Sequence, residues 1–185
     1  MKQSVKRLIC IAAIVLAVLI LFCIVRSAVN KGLGAKVEAA AAEFYRSGNI
    51  GDSLAKRLDA ADKLQNTAAR FDAVYSAYSE LRNTNNALLA LVNAKSNDLS
   101  EMYALNNQLS EQFVTLRKQL EPITEGKAHD ALAEYQTAMD EAQAAIDRSF
   151  YNDDTANFYK TVLNRFPNNI LKALVKADMP NYWEE

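Results

Sequence analysis

Histidine, cysteine, glycine and proline are all scarce in this chain, and each shortage removes a class of function. The 185 residues include one histidine, two cysteines, five glycines and three prolines. Cys10 and Cys23 lie in a single uncharged apolar stretch, where thirteen helical residues would hold them about 20 Å apart, too far for a disulfide. Small apolar side chains in a lipid-facing helix are the simpler reading. The rest of the chain has no cysteine, which excludes a Cys–His nucleophile there and leaves no redox marker for either side of a membrane. A carboxylate-bridged di-iron bundle wants Glu-x-x-His on each of two helices, and the lone His129 cannot supply both. His129, expected in the loop after Pro122, reads as structural or solvated rather than as a metal ligand. Few glycines and prolines argue against sheets joined by tight turns and against Gly-rich phosphate loops. A net charge of −1 gives no electrostatic case for nucleic acid. No enzymatic activity, metal or cofactor is expected.

The run Leu8–Val25 (LICIAAIVLAVLILFCIV) contains no charged residue and is flanked by Lys2, Lys6 and Arg7 before and Arg26 and Lys31 after. About 20 apolar helical residues cross a bilayer core of roughly 30 Å, and basic flanks can snorkel to the headgroups. A cleaved signal peptide would have a shorter apolar region and a small-x-small site, whereas Arg26 stands where small neutral residues belong. A lipoprotein signal would place a small residue before the modified cysteine, but Phe22 precedes Cys23. The run therefore reads as a retained single-pass anchor in the plasma (inner) membrane, with the bilayer as its first partner. Lys2, Lys6 and Arg7 against Arg26, Lys31 and Lys36 is nearly a tie, so the positive-inside rule chooses no side.

The residues after the anchor number about 155, enough for one domain with a core, and their Ala, Leu, Glu, Gln and Lys content is that of an all-α fold. Val29–Gly34, with two glycines, marks an expected joint, and Ala35–Arg46 a short helix ending at Ser47-Gly48-Asn49. Asp52 or Ser53 is the expected N-cap of the next helix. Its apolar stripe runs Leu54, Leu58, Ala61, Leu64, Ala68, Phe71, Tyr75, Tyr78, Leu81, and Arg82–Asn86 reads as a turn. A second stripe runs Leu88, Val92, Leu99, Met102, Leu105, Leu109, Phe113, Leu116, Leu120 and stops at Pro122. The third runs Leu132, Tyr135, Met139, Ala142, Ile146, Phe150, Tyr159, Leu163, Phe166 and ends at Pro167. Long one-sided helices bury their stripes against one another, most simply in an antiparallel bundle. Three helices are predicted, and the fourth is either Ala35–Arg46 or a split of the middle segment near Asn93–Asn97. The linear division is thus a basic tail (1–7), an anchor (8–28), a juxtamembrane linker with a short helix (29–51), a helical bundle (52–167) and a tail (168–185).

Two groups of residues invite a chemical reading. Glu134, Asp140, Glu141 and Asp147 follow one helix, at a spacing typical of a solvated face. Phe150, Tyr151, Asn152, Phe158, Tyr159 and Phe166 form the most specific pattern in the domain. Their aromatics either fill the core while Asn152 ties helix ends by hydrogen bonds, or line a groove for a partner helix or peptide. Tyr182-Trp183 suits a membrane interface, a fold-back onto the bundle or a partner anchor equally well.

The stretch Glu141–Pro167 (EAQAAIDRSFYNDDTANFYKTVLNRFP) resembles the LemA family. It has a glutamate about ten residues before an aromatic-Tyr-Asn triplet, an aromatic further on, then Phe-Pro-x-Asn. Glu141, Phe150-Tyr151-Asn152, Tyr159 and Phe166-Pro167-Asn168-Asn169 fill those places. The family's arginine-paired helix start corresponds at best to Asn83–Val92, where its proline and second arginine are missing. The resemblance implies a four-helix up-and-down bundle on a single-pass anchor, a cytoplasmic domain and no established enzymatic activity. It also singles out Glu141, which inside the bundle would need a Tyr, Asn or Arg partner. The function expected on these grounds is a membrane-tethered scaffold or adaptor for an undefined protein partner, with a tethered ligand-binding sensor as the rival. Oligomeric state is not legible.

Overall fold

The computed structural model describes residues 2–184, with side chains from residue 11 onward, so the side chains of the basic tail and of Cys10 lie outside the described residues. Every regular element is helical and no strand occurs among the described residues. The α-helices are α1 (Lys2–Val29), α2 (Ala35–Ala42), α3 (Ile50–Ala68), α4 (Tyr75–Asn93), α5 (Leu99–Leu120), α6 (Gly126–Asp147), α7 (Tyr151–Phe158) and α8 (Asn168–Leu171). Packing divides the chain into two units that cut across the linear division. One runs up to Ala40 and includes Asn157–Met179; the other comprises Ala41–Ala156 with Pro180–Glu185.

The larger unit is built on the helical stripes. Leu54, Leu58, Ala61 and Leu64 of α3 meet Leu81 and Leu88 of α4 in one buried cluster. Met102, Leu109, Phe113 and Leu116 of α5, with Leu132, Met139 and Ile146 of α6, complete it. α3 packs on α4, α5 and α6, and α4 on α5. Helix boundaries depart from the sequence expectation in several places. The first long stripe is two helices, because α3 ends at Ala68, Phe71 is extended (φ −128°, ψ 104°) and a 3-10 turn at Asp72–Val74 leads into α4. A straight helix from Leu54 to Leu81 would be about 40 Å long, and reversing near Phe71 returns Leu81 and Leu88 to the core begun by Leu54. Tyr75, a predicted stripe residue, is left 69% exposed. The turn expected at Arg82–Asn86 is instead the middle of α4, with Thr84 and Asn85 buried. Leu81 and Leu88, each fully buried on either side of it, outweigh the weak helix propensity of Asn and Thr. The split near Asn93–Asn97 is present, and the Asp98 side chain caps α5 by accepting from the Glu101 N–H at 3.2 Å.

Two further differences concern helix starts. The N-cap of α3 is Asn49, whose side chain accepts from Ile50 N–H, not Asp52 or Ser53. Asp52 already lies inside the helix, where it accepts from Gly48 N–H and pairs with Lys56. His129 stands in the first turn of α6 rather than in a loop, exposed, with Nδ1 3.5 Å from Thr124 Oγ1. The third stripe is also interrupted: α6 ends at Asp147 and α7 starts at Tyr151.

In the smaller unit, α1 carries its large apolar side chains from Ile11 to Val25 in the open, Val25 being the least exposed at 38%. α1 is long and apolar enough to cross a membrane, and none of its most apolar window is buried. The expected joint after it is not a break. Asn30–Gly34 forms a π turn that joins α1 to α2. Val29, Leu33 and Val37, spaced by four, are buried with Leu163, and Phe158, Val162, Leu171 and Leu174 pack around them. That apolar seam holds the helical direction through two glycines that would otherwise favour a hinge.

Candidate functional site: a clasped aromatic cluster and its adjoining cleft

Arg57 organises the interior of the larger unit. It sits among the core positions of α3 and is only 1% exposed. Its guanidinium donates to Asn106 Oδ1 at 2.5 Å and to Ser110 Oγ, both on α5, and to Gln143 Oε1 on α6. Nε–H points at Met139 Sδ, 3.3 Å away. Among the described residues no carboxylate pairs with it, but Gln143 Nε2 donates to Asp147 Oδ1 at 2.7 Å, linking the buried cation to a surface anion through one amide. Burial pushes the Arg57 pKa down to about 10, against the opposing pull of Asp147 and Asp140. This cross-helix tie was missed in the sequence reading. Its signal was available: Arg57 lies three residues after Leu54, and Asn106 four after Met102, so both fall on buried stripes.

A second cluster gathers around Phe44 in the 3-10 turn Glu43–Tyr45. Phe44 meets Tyr151 edge-on (centroids 5.2 Å apart) and Trp183 at a tilt (5.5 Å), and Tyr103 packs edge-on against Trp183 (5.4 Å). The C-terminal residues reach this cluster through backbone recognition. Asn152 Oδ1 accepts from the Trp183 N–H (2.8 Å) while its Nδ2 donates to the Trp183 carbonyl (3.2 Å) and to Glu184 Oε1 (2.9 Å). One side-chain amide thus pairs both backbone polar groups of the residue that carries the indole into the core. Tyr151 Oη donates to the Asn181 carbonyl at 3.0 Å, and Asn181 Nδ2 to the Asn97 carbonyl at 2.8 Å. Of the three placements open to Trp183 from sequence, the fold-back is the one adopted. Tyr45 Oη donates to the Ser96 carbonyl at 2.6 Å, and its pKa is pushed up to about 12 by burial and by nearby Tyr151.

Beside the cluster lies an open cleft of about 470 Å³ between the turn after Tyr45 and the break between α6 and α7. Arg46, Asn49, Arg148, Ser149, Phe150 and Asp154 line it, and Tyr151 forms the boundary with the aromatic cluster. Phe150 is 73% exposed, so it presents an apolar face to solvent rather than filling the core. Ser149 Oγ donates to Asn49 Oδ1 (2.7 Å) and accepts from Tyr151 N–H (3.2 Å), so the one hydroxyl of this turn is committed to local structure. The cleft offers two guanidinium groups, an aromatic face and carboxylates, without a histidine or thiol among its lining residues.

The sequence-predicted site residues separate. Tyr151 and Asn152 come together on the C-terminal tail. Phe150 faces the cleft. Glu141 is exposed on α6, so the interior partner expected for a buried glutamate does not arise; the buried ion is Arg57. Tyr159, Phe166, Pro167 and Asn168 belong to the smaller unit. There Tyr159 begins a π turn, Asn168 Nδ2 donates to the Val162 carbonyl (3.0 Å), and Phe166 is 81% exposed rather than part of a core stripe. Among the described residues no cluster of His, Cys, Asp and Glu is placed to hold a metal ion.

No protein-family model matches this chain, and no curated protein or solved structure matches it.

Proposed function

We propose that this chain is a single-pass membrane protein whose helical domain is a non-enzymatic scaffold of LemA type. In this reading α1 spans the bilayer, and α3–α6 form the four-helix up-and-down bundle that the resemblance implies. The cleft beside Phe150 receives a protein partner. The observation that carries the reading is the bare apolar surface of α1, with its most apolar window wholly unburied. Apolar surface on that scale is stable only in a solvent as apolar as itself, and lipid is that solvent. The scaffold role draws on the cleft, where an exposed aromatic shares the lining with Arg46 and Arg148, the composition of an interface centre.

Membrane fractionation of cells expressing the full chain tests the anchor. The chain should resist alkaline carbonate extraction, and a variant lacking residues 8–25 should be soluble; extraction of the intact chain would sink the anchor. For the scaffold role, a turnover activity or a stoichiometric metal in the purified protein would count against it.

The sensor reading draws on one observation, that the cleft volume of about 470 Å³ lies within the range of small-molecule sites. A thermal shift of the purified chain on adding a small ligand, with no protein partner present, would favour it.

A further inference from the structure

Charge is distributed by unit, although the chain as a whole carries only −1. The larger unit holds eleven Lys or Arg against twenty Asp or Glu. In the smaller unit, the residues after the apolar run hold seven basic groups against two acidic, Glu38 and Asp178. Arg26, Lys31 and Lys36 follow the apolar run directly, and Lys160, Arg165, Lys172 and Lys176 come from the 157–179 segment. Among the described residues none of these seven is ion-paired.

Asn30 joins the two sets. Its Nδ2 donates to the Leu174 carbonyl at 3.3 Å, and its Oδ1 accepts from the Lys176 N–H at 2.8 Å. The staple brings Lys176 beside Arg26 and Lys31 around one cleft of about 570 Å³, which Glu38 also lines. An apolar furrow along Leu19, Ile20 and Ile24 shares Cys23, Ser27 and Lys31 with that cleft. A hollow with three cations against one carboxylate, opening onto an apolar furrow, suits a phospholipid, with the phosphate at the cations and an acyl chain along the helix.

A second observation points the same way. Leu163, Leu171 and Leu174 turn into the core of the smaller unit, yet Phe166 is 81% and Ile170 65% exposed. These two bare apolar side chains lie in sequence between Arg165 and Lys172. Aromatic and aliphatic side chains among lysines and arginines are the composition of segments that lie in the headgroup region.

We propose that the 160–176 segment, together with Arg26 and Lys31, is a docking surface for an anionic phospholipid bilayer, with Phe166 and Ile170 inserted among the headgroups. The proposal rests on the reading of α1 as membrane-spanning. It gives the chain a second attachment next to the first, so the smaller unit lies against the membrane wherever the leaflet is anionic. Because the anchor holds the surface at high local concentration, weak lipid contacts suffice.

The test uses the full-length chain reconstituted into vesicles of phosphatidylcholine alone or mixed with phosphatidylglycerol, with lipids brominated near the headgroup as quenchers. The one native tryptophan, Trp183, is 6% exposed and serves as the unquenched reference. Phe166→Trp and, separately, Ile170→Trp add a reporter at an exposed position. Both reporters should be quenched in the phosphatidylglycerol vesicles and much less in phosphatidylcholine. Each basic residue near an anionic surface is worth roughly fivefold in occupancy. A Lys160→Gln/Lys172→Gln/Lys176→Gln background should therefore lower docking by roughly a hundredfold. Reporters that stay unquenched in phosphatidylglycerol, or that are quenched equally in both vesicles, overturn the proposal. Quenching is read before a carbonate wash that tests the anchor. A chain that is stripped by the wash but was quenched refutes the anchor alone, and one that is retained but was unquenched refutes the docking surface alone.

Discussion

Burial of the Arg57 guanidinium sets two opposing free energies against each other. Desolvation lowers its pKa to about 10, so the unfolded chain holds the proton more tightly. That cost is fully present at neutral pH and fades as pH rises from about 10 towards the unfolded value of 12.5. Removing the side chain, however, strands the acceptors on Asn106 and Gln143. Arg57→Ala should therefore lose about 3–5 kcal/mol, from orphaned acceptors plus a cavity. Arg57→Met combined with Asn106→Leu and Gln143→Leu should return to within about 1 kcal/mol of the parent, because no polar group is left unpaired. Denaturant unfolding of the full chain in detergent, followed by circular dichroism, checks both; additive losses in the triple variant would refute the tie. Asp52 predicts the acid limb. Its pKa is lowered first by its hydrogen bond with Lys56 and next by Gly48 N–H. An acid with a depressed folded pKa contributes stability that is present above the unfolded value, here 3.8, and lost as pH falls through the lower folded value. Asp52→Asn should flatten the pH dependence of thermal stability in that acid window and leave its slope near neutrality unchanged. The effect is small, since the pair is exposed and screened.

Helix existence was legible from the 3.6-residue spacing of Leu54, Leu58 and Leu64 or Met102, Leu109 and Phe113, because a stripe must be buried whatever it packs against. Boundaries were less so. The reversal at Phe71 has neither glycine nor proline to announce it, and it is imposed by the need to return Leu81 to the core. The cap was misplaced for a local reason: Asn49, Asp52 and Ser53 are all good capping residues, and only the extended backbone at Asn49 (φ −97°, ψ −172°) selects it. Close packing at that junction makes Gly51 a sharp test. A Cβ there would lie 2.7 Å from Tyr45 Cδ1 and 2.9 Å from the Phe44 carbonyl oxygen, and the latter is backbone that cannot rotate away. Gly51→Ala should destabilise the chain despite an intrinsic helix gain of about 1 kcal/mol, whereas an unchanged or raised melting temperature would show that the turn yields. The C-terminal clasp offers the complementary element-scale test. Asn152→Ala, which leaves Trp183 without its side-chain partner, should cost about 1–3 kcal/mol and red-shift the indole emission as Trp183 leaves its pocket. The Tyr-Asn pair could be picked out from sequence, but its target could not, since nothing in the linear pattern says that residues 151–152 and 181–183 meet.

The charge pattern depends on the folded chain for a similar reason. Flanking counts of three and three gave no orientation, because Lys160, Arg165, Lys172 and Lys176 join the Arg26–Lys36 group only after Asn30 and the Leu163 cluster have placed the 157–179 segment. If α1 spans the bilayer, the basic surface so assembled should prefer one side of it. The cytoplasmic leaflet carries a surface potential of roughly −30 mV, and each basic group held near it gains about 1 kcal/mol at physiological ionic strength. With seven basic groups against two acidic in the part of the smaller unit that follows the apolar run, the proposed docking surface, and the helical domain with it, should lie on the cytoplasmic side. A protease-sensitive tag fused after the C-terminus should survive on intact cells stripped of their outer layers and be cut once the membrane is opened. Lys31→Glu with Lys36→Glu, close enough to the apolar run to act during insertion, should yield a population cut from outside. Cleavage of the parent chain on intact cells would place the basic surface against the opposite leaflet, where the attraction to anionic lipid would no longer explain its charge.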